Sequence, residues 1–496
     1  MSTALIQTSV QVRIPTGIAG LDNILRGGLP EHRLYVIEGN PGAGKTTLML
    51  QFLIEGARLG ERCLYIALSA TAGELREIVA SHGWSLDGIE VVELNTLAED
   101  SAYTVYHPAD VELGEAIQQI RAAVERLKPD RVGLDSVSEL KILSETSARY
   151  RREILGLKRF FAHRKCTVLL LDDLTTQEDE QQLQSVAHGV IRLERHVREY
   201  GDTRRQIQIV KMRAVPFRDG LHDFKIDTGG GLVIYPRLSS VDDSKEHSQD
   251  TIKSGVEHLD RLLGTGLDRG SCALIIGPAG CGKSTISTQF IFTALARGEA
   301  VSCFLFEESQ STFRQRAAGL GLNIDAYVVS GLLEFTRIDP VGLSPGEFAD
   351  RVRRSVERRN VSIVMIDSLN GYVNDLPDDR FLLIQMHELL AYLSQQGVVT
   401  LLILSQHGMI GQLQSPLDVS FLADTVILLR FFEAQGEVRQ AISVVKKRLG
   451  AHERTIREMR LGTDGVKIGE PLRDFEGVLT GTPKYFGKTA PPASEF

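Results

Sequence analysis

The sequence has few cysteines, few prolines, no surplus of positive charge and no long apolar run, and each scarcity excludes something. The five cysteines, Cys63, Cys166, Cys272, Cys281 and Cys303, are odd in number, scattered and never spaced C-x-x-C. That argues against a disulfide framework and against a zinc site, and leaves them as small core residues. No stretch approaches the ~18 to 20 uninterrupted apolar residues of a membrane span. The opening MSTALIQTSVQVRIP lacks the basic start and apolar run of a signal peptide. The expectation is a cytoplasmic protein with no membrane partner. Lys and Arg number 56 against 64 Asp and Glu, a net charge of −8. Nothing global therefore favours nucleic acid or an acidic membrane, and only a local basic groove stays open. Sixteen prolines stand against 46 glycines, a balance suited to tight turns and close backbone approaches.

What is present is an ordinary globular composition, 43% hydrophobic and 24% charged over 496 residues, long enough for three domains or two large ones. A repeat decides between them. Residues 16–55, TGIAGLDNILRGGLPEHRLYVIEGNPGAGKTTLMLQFLIE, run parallel to 254–293, SGVEHLDRLLGTGLDRGSCALIIGPAGCGKSTISTQFIFT. Gly17 to Gly255, Asp22 to Asp260 and Lys45 to Lys283 are each 238 apart, while Asp135 to Asp367 is 232 and Lys211 to Lys446 is 235. A period this long marks a duplicated domain, with small loop insertions causing the drift. The polar run SSVDDSKEHSQD reads as the junction. The expected organisation is a first domain over 1–240, a linker over 241–251, a second domain over 252–482 and a short disordered tail over 483–496. Within each copy, short β-branched runs such as LYVIEG and TVLLLDD alternate with helical stretches such as LMLQFLIEGARLG. That alternation predicts an α/β fold with a mostly parallel central sheet flanked by helices.

Each copy carries G-x-x-x-x-G-K-[ST] between an apolar strand and a helix. In the first it is Gly39, Asn40, Pro41, Gly42, Ala43, Gly44, Lys45 and Thr46, followed by Thr47. In the second it is Gly277, Pro278, Ala279, Gly280, Cys281, Gly282, Lys283 and Ser284, followed by Thr285. Glycines let the backbone N–H groups wrap a polyphosphate, the lysine reaches its outer phosphates, and the Thr46 or Ser284 hydroxyl suits Mg²⁺. Two matches in register make these nucleotide sites. An acid closing an apolar strand, Asp135 in RVGLDS and Asp367 in SIVMIDS, fits the magnesium shell. The copies then diverge. CFLFEES ends in Glu307 and Glu308, which suit deprotonating a water or a hydroxyl, whereas CLYIALSATAGEL has Ser69 and Ala70 at the matching places. The first site is expected to bind nucleotide but turn it over poorly, unless Glu74 or another group substitutes. Late in each copy a strand carries a basic pair, Lys211 and Arg213 or Lys446 and Arg448. Residues two apart share a strand face. Such a pair either guards a solvated edge or reaches the γ-phosphate of a neighbouring subunit, which would require a ring.

The duplicated T/SG-x-x-x-LD leader, both P-loops, FEES, the LDS and IDS acids, and the K-M-R and K-K-R-x-G-x-H-E strands resemble the KaiC family of circadian clock ATPases, within the RecA-like P-loop superfamily. The resemblance spans residues 12 to 482. It implies two RecA-like domains per chain in a two-tier homohexameric ring, with ATP and Mg²⁺ between neighbours and autokinase activity on paired hydroxyl residues in the second tier. By that likeness Lys45, Thr46, Lys283 and Ser284 contact phosphate and Mg²⁺, and Glu307 is the catalytic base. Lys211, Arg213, Lys446 and Arg448 are then interface contacts to ATP. The departures are specific. Where the family has neighbouring Ser and Thr acceptors, this chain reads Asp418-Val419-Ser420-Phe421-Leu422-Ala423-Asp424-Thr425. Ser420 can accept a phosphate or bond local backbone, Phe421 cannot accept one, and Ser415 is a second candidate. The short tail leaves little room for the long peptide that binds the clock protein's activating partner, so signalling or clock partners stay open.

Two other functions fit a P-loop repeat: a RecA- or RadA-like DNA-dependent ATPase, and a nucleotide-gated scaffold with little turnover. The acidic net charge, and the absence of a basic tail and of an N-terminal Cys₄ zinc module, stand against the first. No N-K-x-D base-recognition motif favours GTP, and adenine specificity rests on the resemblance.

Overall fold

The repeat folds twice into the same layered sheet. The computed structural model describes residues 12–68, 70–94, 109–144, 146–174, 180–197, 202–238, 250–339, 342–373, 379–406, 420–463, 465–480 and 483–486. Ser69, Ser415 and most of the junction run lie outside them. Contacts divide the chain into two units, Met1–Arg237 and Leu238–Phe496.

In the first unit the elements that place the site are β1 (Leu34–Gly39), α1 (Lys45–Arg58), β2 (Cys63–Ala67), α2 (Ala72–Ser81), β3 (Ile89–Glu93), β4 (Arg131–Asp135), β5 (Thr167–Asp173), α3 (Glu180–Val186), β6 (Gly189–His196), β7 (Arg204–Met212), β8 (His222–Asp227) and β9 (Gly231–Tyr235). They form a nine-stranded sheet in the order β9-β8-β7-β6-β1-β5-β4-β2-β3. The six strands from β6 to β3 are parallel, and β7 to β9 extend the sheet antiparallel. Strand β1 is buried along its whole length. Its alternate residues face two cores: Tyr35 and Ile37 join Phe52 and Leu53 of α1, while Leu34 and Val36 join Ile120, Val124, Ile154 and Leu157 from helices on the other face. A strand sandwiched this way is written as a near-continuous apolar run, and so LYVIEG shows no alternation; its one charged residue, Glu38, is paired with Arg192 at 2.7 Å.

The second unit repeats the plan with β10 (Cys272–Gly277), α4 (Lys283–Ala296), β11 (Val301–Leu305), α5 (Gln310–Gly319), β12 (Leu333–Arg337), β13 (Ile363–Asp367), β14 (Val399–Ser405), β15 (Thr425–Ala434), β16 (Glu437–Lys447), β17 (Arg457–Gly462) and β18 (Gly465–Pro471). Its sheet order is β12-β11-β13-β14-β10-β15-β16-β17-β18. The leader motif has a structural cause in both copies. Thr16 Oγ1 donates to Asp22 Oδ1 at 2.8 Å, and Ser254 Oγ donates to Asp260 Oδ1 at 2.8 Å. Each carboxylate also accepts the backbone N–H of that hydroxyl residue, which fixes the turn ahead of the first strands.

Of the expected tail, residues 483–486 are described. Lys484–Tyr485 pairs antiparallel with Phe475–Glu476, and the Tyr485 ring lies 5.1 Å from that of Phe475. Two aromatic side chains give this piece something to pack on, which its Pro-containing composition did not suggest. All five cysteines are buried with free thiols. Among the described residues no helix is long and apolar enough to cross a membrane.

Candidate nucleotide sites

The P-loop strand sits inside each sheet, with its C-terminal end opening where the chain order reverses, the place at which open α/β sheets bind ligands. Gly39 and Gly277 end β1 and β10 with no room for a side chain: a Cβ would lie 2.3 Å from Leu193 O in one and 2.5 Å from Leu429 O in the other. Gly44 and Gly282 precede the helices with φ of 105° and 97°, left-handed values that favour glycine. The loop can therefore turn its N–H groups, with the unpaired first N–H groups of α1 and α4, toward one anion.

Lys45 and Lys283 are buried at the starts of those helices. Lys283 Nζ donates to Gly277 O at 3.1 Å and Pro278 O at 2.7 Å. Burial lowers its proton affinity, while Cys281, Asp367 and Glu307 act in the opposite sense. Lys45 Nζ donates to Gly39 O at 2.7 Å and Asn40 O at 3.2 Å, and also pairs with Asp173 Oδ1 at 2.7 Å. The hydroxyl and the acid expected to serve magnesium come together in both units. Thr46 Oγ1 donates to Asp135 Oδ2 at 2.8 Å, and Ser284 Oγ donates to Asp367 Oδ2 at 2.7 Å. Burial raises the pKa of both carboxyls against those hydrogen bonds. A hydroxyl and a carboxylate at the mouth of a phosphate loop are the hard oxygen donors that suit Mg²⁺. When bound, the ion would neutralise charge on the phosphates.

The second unit separates the roles of its two glutamates. Glu308 pairs with Arg316 of α5, whose guanidinium lies 4.7 Å from the centre of the Phe313 ring. Glu308 adds to the upward shift of Asp367. Glu307 is exposed and acts electrostatically on Lys283. The side chain of Glu307 is thus open to solvent, whereas that of Glu308 is held by Arg316. In the first unit Ala70 leaves that place without a carboxylate. Glu74 does not fill it: its carboxylate accepts the Thr71 N–H at 2.8 Å and Thr71 Oγ1 at 3.1 Å, as the return half of a capping box at the start of α2.

The basic pairs and Ser420 are not at these mouths. Lys211 Nζ donates to Gln184 O at 2.6 Å and Arg213 to Ser185 O at 2.9 Å, both on α3. Lys446 Nζ donates to Ser420 O at 2.8 Å and Ala423 O at 2.7 Å. Arg448 bonds Phe421 O at 2.9 Å and pairs with Asp424 at 3.2 Å. Each pair ties down the segment leading into β6 or β15. In register, Lys211 faces Val190 and Lys446 faces Val426, beside Val36 and Leu274. Both pairs therefore lie toward the N-terminal ends of the parallel strands, away from the P-loop of their own unit.

Sequence reading missed two residues at the end of β5. Asp173 is the partner of Lys45. Asp172 points to the other face, where Ser138 Oγ donates to it at 3.1 Å. Burial pushes the Asp172 carboxyl up to about 6 against that hydrogen bond and the attraction of Lys141. The signal was available as TVLLLDD against VTLLILS in the other copy. The folded carboxyl holds its proton more tightly than the unfolded one, so stability falls as pH rises from about 4 to about 6 and stays lower above. Asp172→Asn should stabilise the first unit at pH 8 by roughly 2 to 3 kcal/mol and leave it nearly unchanged at pH 4. Urea unfolding followed by the fluorescence of Trp84, the one tryptophan of the chain, checks this. Equal stabilisation at both pH values would refute it.

The family described as ATPase: KaiC matches residues 14–239 and again 252–473. The circadian clock protein KaiC3 of Synechocystis sp. is 29% identical, over 95% of this chain and 95% of that protein. The circadian clock oscillator protein KaiC of Thermostichus vulcanus is 27% identical, over 96% and 93%. That of Prochlorococcus marinus is 27% identical, over 95% of each. Two matched domains, each with a P-loop and its partner acid in place, show that this chain belongs to the KaiC ATPase family.

Proposed function

We propose that this protein is an ATP-hydrolysing serine autokinase that works as a homohexameric two-tier ring, with the chemistry in the second domain and nucleotide binding and assembly in the first. The observation that carries this reading is the position of Ser420, Lys446 and Arg448. Lys446 is level with Leu274, three residues before Gly277. That is about 10 Å along the strand, and two strand spacings add about 10 Å across the sheet. A nucleotide that meets this end of the sheet therefore sits in the P-loop of another copy, and a closed ring supplies every site with such a neighbour.

In the transfer step, the Ser420 hydroxyl oxygen bonds to the γ-phosphorus held by the neighbouring copy and the bond to the β-phosphate oxygen breaks. ADP leaves, and the serine proton passes to Glu307 of that copy. With water in place of Ser420 the same groups give hydrolysis. Phe421 occupies the adjoining position, so the chain carries one acceptor there and the output is a single phosphate. Regulation or timekeeping through that modification matches the names of the relatives.

Intact-mass spectrometry after incubation with ATP and Mg²⁺ tests the reading. One phosphate per chain is expected, absent from Ser420→Ala while ATP hydrolysis by that variant persists. Hydrolysis without any phosphate on the chain, or a phosphate that survives Ser420→Ala, would overturn the assignment of the acceptor.

A further inference from the structure

We propose that Asp173 makes the first P-loop a diphosphate-selective site, because its carboxylate takes the place beside Lys45 that the terminal phosphate of a nucleoside triphosphate needs. The inference rests on the reading that this loop holds nucleotide.

The position of Asp173 is set by register. It closes β5 directly opposite Gly39, the first glycine of the loop, on the strand next to the P-loop strand. Its backbone N–H donates to Ser138 Oγ at 3.0 Å, which holds the strand end in place. From there Oδ1 reaches Lys45 Nζ at 2.7 Å. The lysine amine is the group that a P-loop aims at the outer phosphates. The carboxylate also acts on the other side of the site, since the negative charge of Asp173 adds to the upward pKa shift of Asp135. Two carboxylates thus already share the space around one buried lysine.

The second domain is an internal control within the same chain. At the matching register, opposite Gly277, stands Ser405. Its N–H is taken by Asn370 Oδ1 at 2.8 Å, and the described contacts of Lys283 are to loop carbonyls. The domain that carries the paired glutamates has a neutral residue beside its P-loop lysine. The domain without them has a carboxylate there.

A nucleoside diphosphate can use the loop N–H groups and the helix start while Lys45 keeps Asp173. A triphosphate brings its most highly charged group against Asp173, so it must break that ion pair or accept like charges a few ångströms apart in a partly dehydrated site. The first tier would then hold a product-like nucleotide and keep it through cycles of turnover in the second.

The test uses the full chain carrying Lys283→Ala, so that the first P-loop dominates binding, with ADP and the non-hydrolysable β,γ-imido analogue of ATP as probes, both with Mg²⁺, in equilibrium titrations. ADP should bind tighter than the analogue by about tenfold or more. Asp173→Asn, and Asp173→Ser which copies the second domain, should bring the two within about threefold by tightening the analogue. The reciprocal Ser405→Asp, in a chain with both lysines, should weaken the analogue at the second site about tenfold and ADP much less. Equal affinities in the parent chain, or neutral variants that weaken the analogue, would overturn the proposal while leaving the loop a nucleotide site. Failure of both probes to bind at all would defeat the nucleotide-site reading itself.

Discussion

Glu307→Gln should lower kcat for ATP hydrolysis by about 10²- to 10⁴-fold, the range for a positioned general base, with KM changed by no more than a few fold. The amide keeps the size of the side chain and removes only its capacity to take a proton. Because Glu307 is exposed at the mouth and lies in the field of Lys283, the change should not disturb packing. Glu308→Gln is the informative partner. It breaks the pair with Arg316, a half-buried side chain with two covered guanidinium nitrogens that already have no hydrogen-bond partner. Its cost should therefore appear in stability and in the pH profile of kcat, with a smaller fall in rate. Steady-state phosphate release across pH 6 to 9 separates the two. A Glu308→Gln loss equal to that of Glu307→Gln, with the same profile, would mean that the base is not Glu307 alone.

The residues whose placement was legible in the sequence are those whose chemistry fixes both type and spacing. A backbone that wraps phosphates needs glycines and a lysine in a set order, and the duplication doubled that signal, so both cradles and both strand-end acids could be read directly. The paired strands around them were legible because a sheet buried on both faces must be written in apolar runs. Residues that act through a partner brought in by the fold were harder. Arg316 lies eight residues beyond Glu308, a spacing that means nothing until α5 turns back over the strand end. Asp173 looked like the end of a strand, and its meaning appears only when register sets it opposite Gly39 and Ser405 opposite Gly277. The basic pairs were legible as pairs. Their location was not, because a register shift at Val190/Ile191, and its counterpart at Val426/Ile427, decides what faces the start of each strand.

The second large effect concerns stability, at a residue that looked ordinary. Arg131 opens RVGLDS, where an arginine reads as the solvated start of a strand, yet it is fully buried. The matching place in the second copy is Ile363, so an arginine stands where the same fold elsewhere uses an apolar side chain. Its guanidinium pairs with Glu61, donates to Pro15 O and Phe52 O at 2.8 Å each, and lies 4.6 Å from the centre of the Phe52 ring. One side chain thus joins the leader, the middle of α1 and the start of β4, and α1 begins with Lys45. Removing it takes the guanidinium donor from the half-buried Pro15 carbonyl and the buried Phe52 carbonyl, and leaves Glu61 without its partner and a cavity against Phe52. Truncating a fully buried side chain of this size, with its packing and hydrogen bonds, typically costs about 3 to 5 kcal/mol, which for a unit of this size lowers the melting temperature by on the order of 10 °C. Arg131→Ala should therefore bring down the melting transition seen by Trp84, whose ring stacks on His82 and whose Nε1 donates to Gly229 O at 3.3 Å. Because the only tryptophan is in the first unit, that transition reports this unit and not the second. Arg131→Ile, the choice of the second copy, should recover the packing but not the hydrogen bonds, and fall between the two. A shift under about 3 °C for Arg131→Ala would mean that the guanidinium contributes little beyond what water could replace.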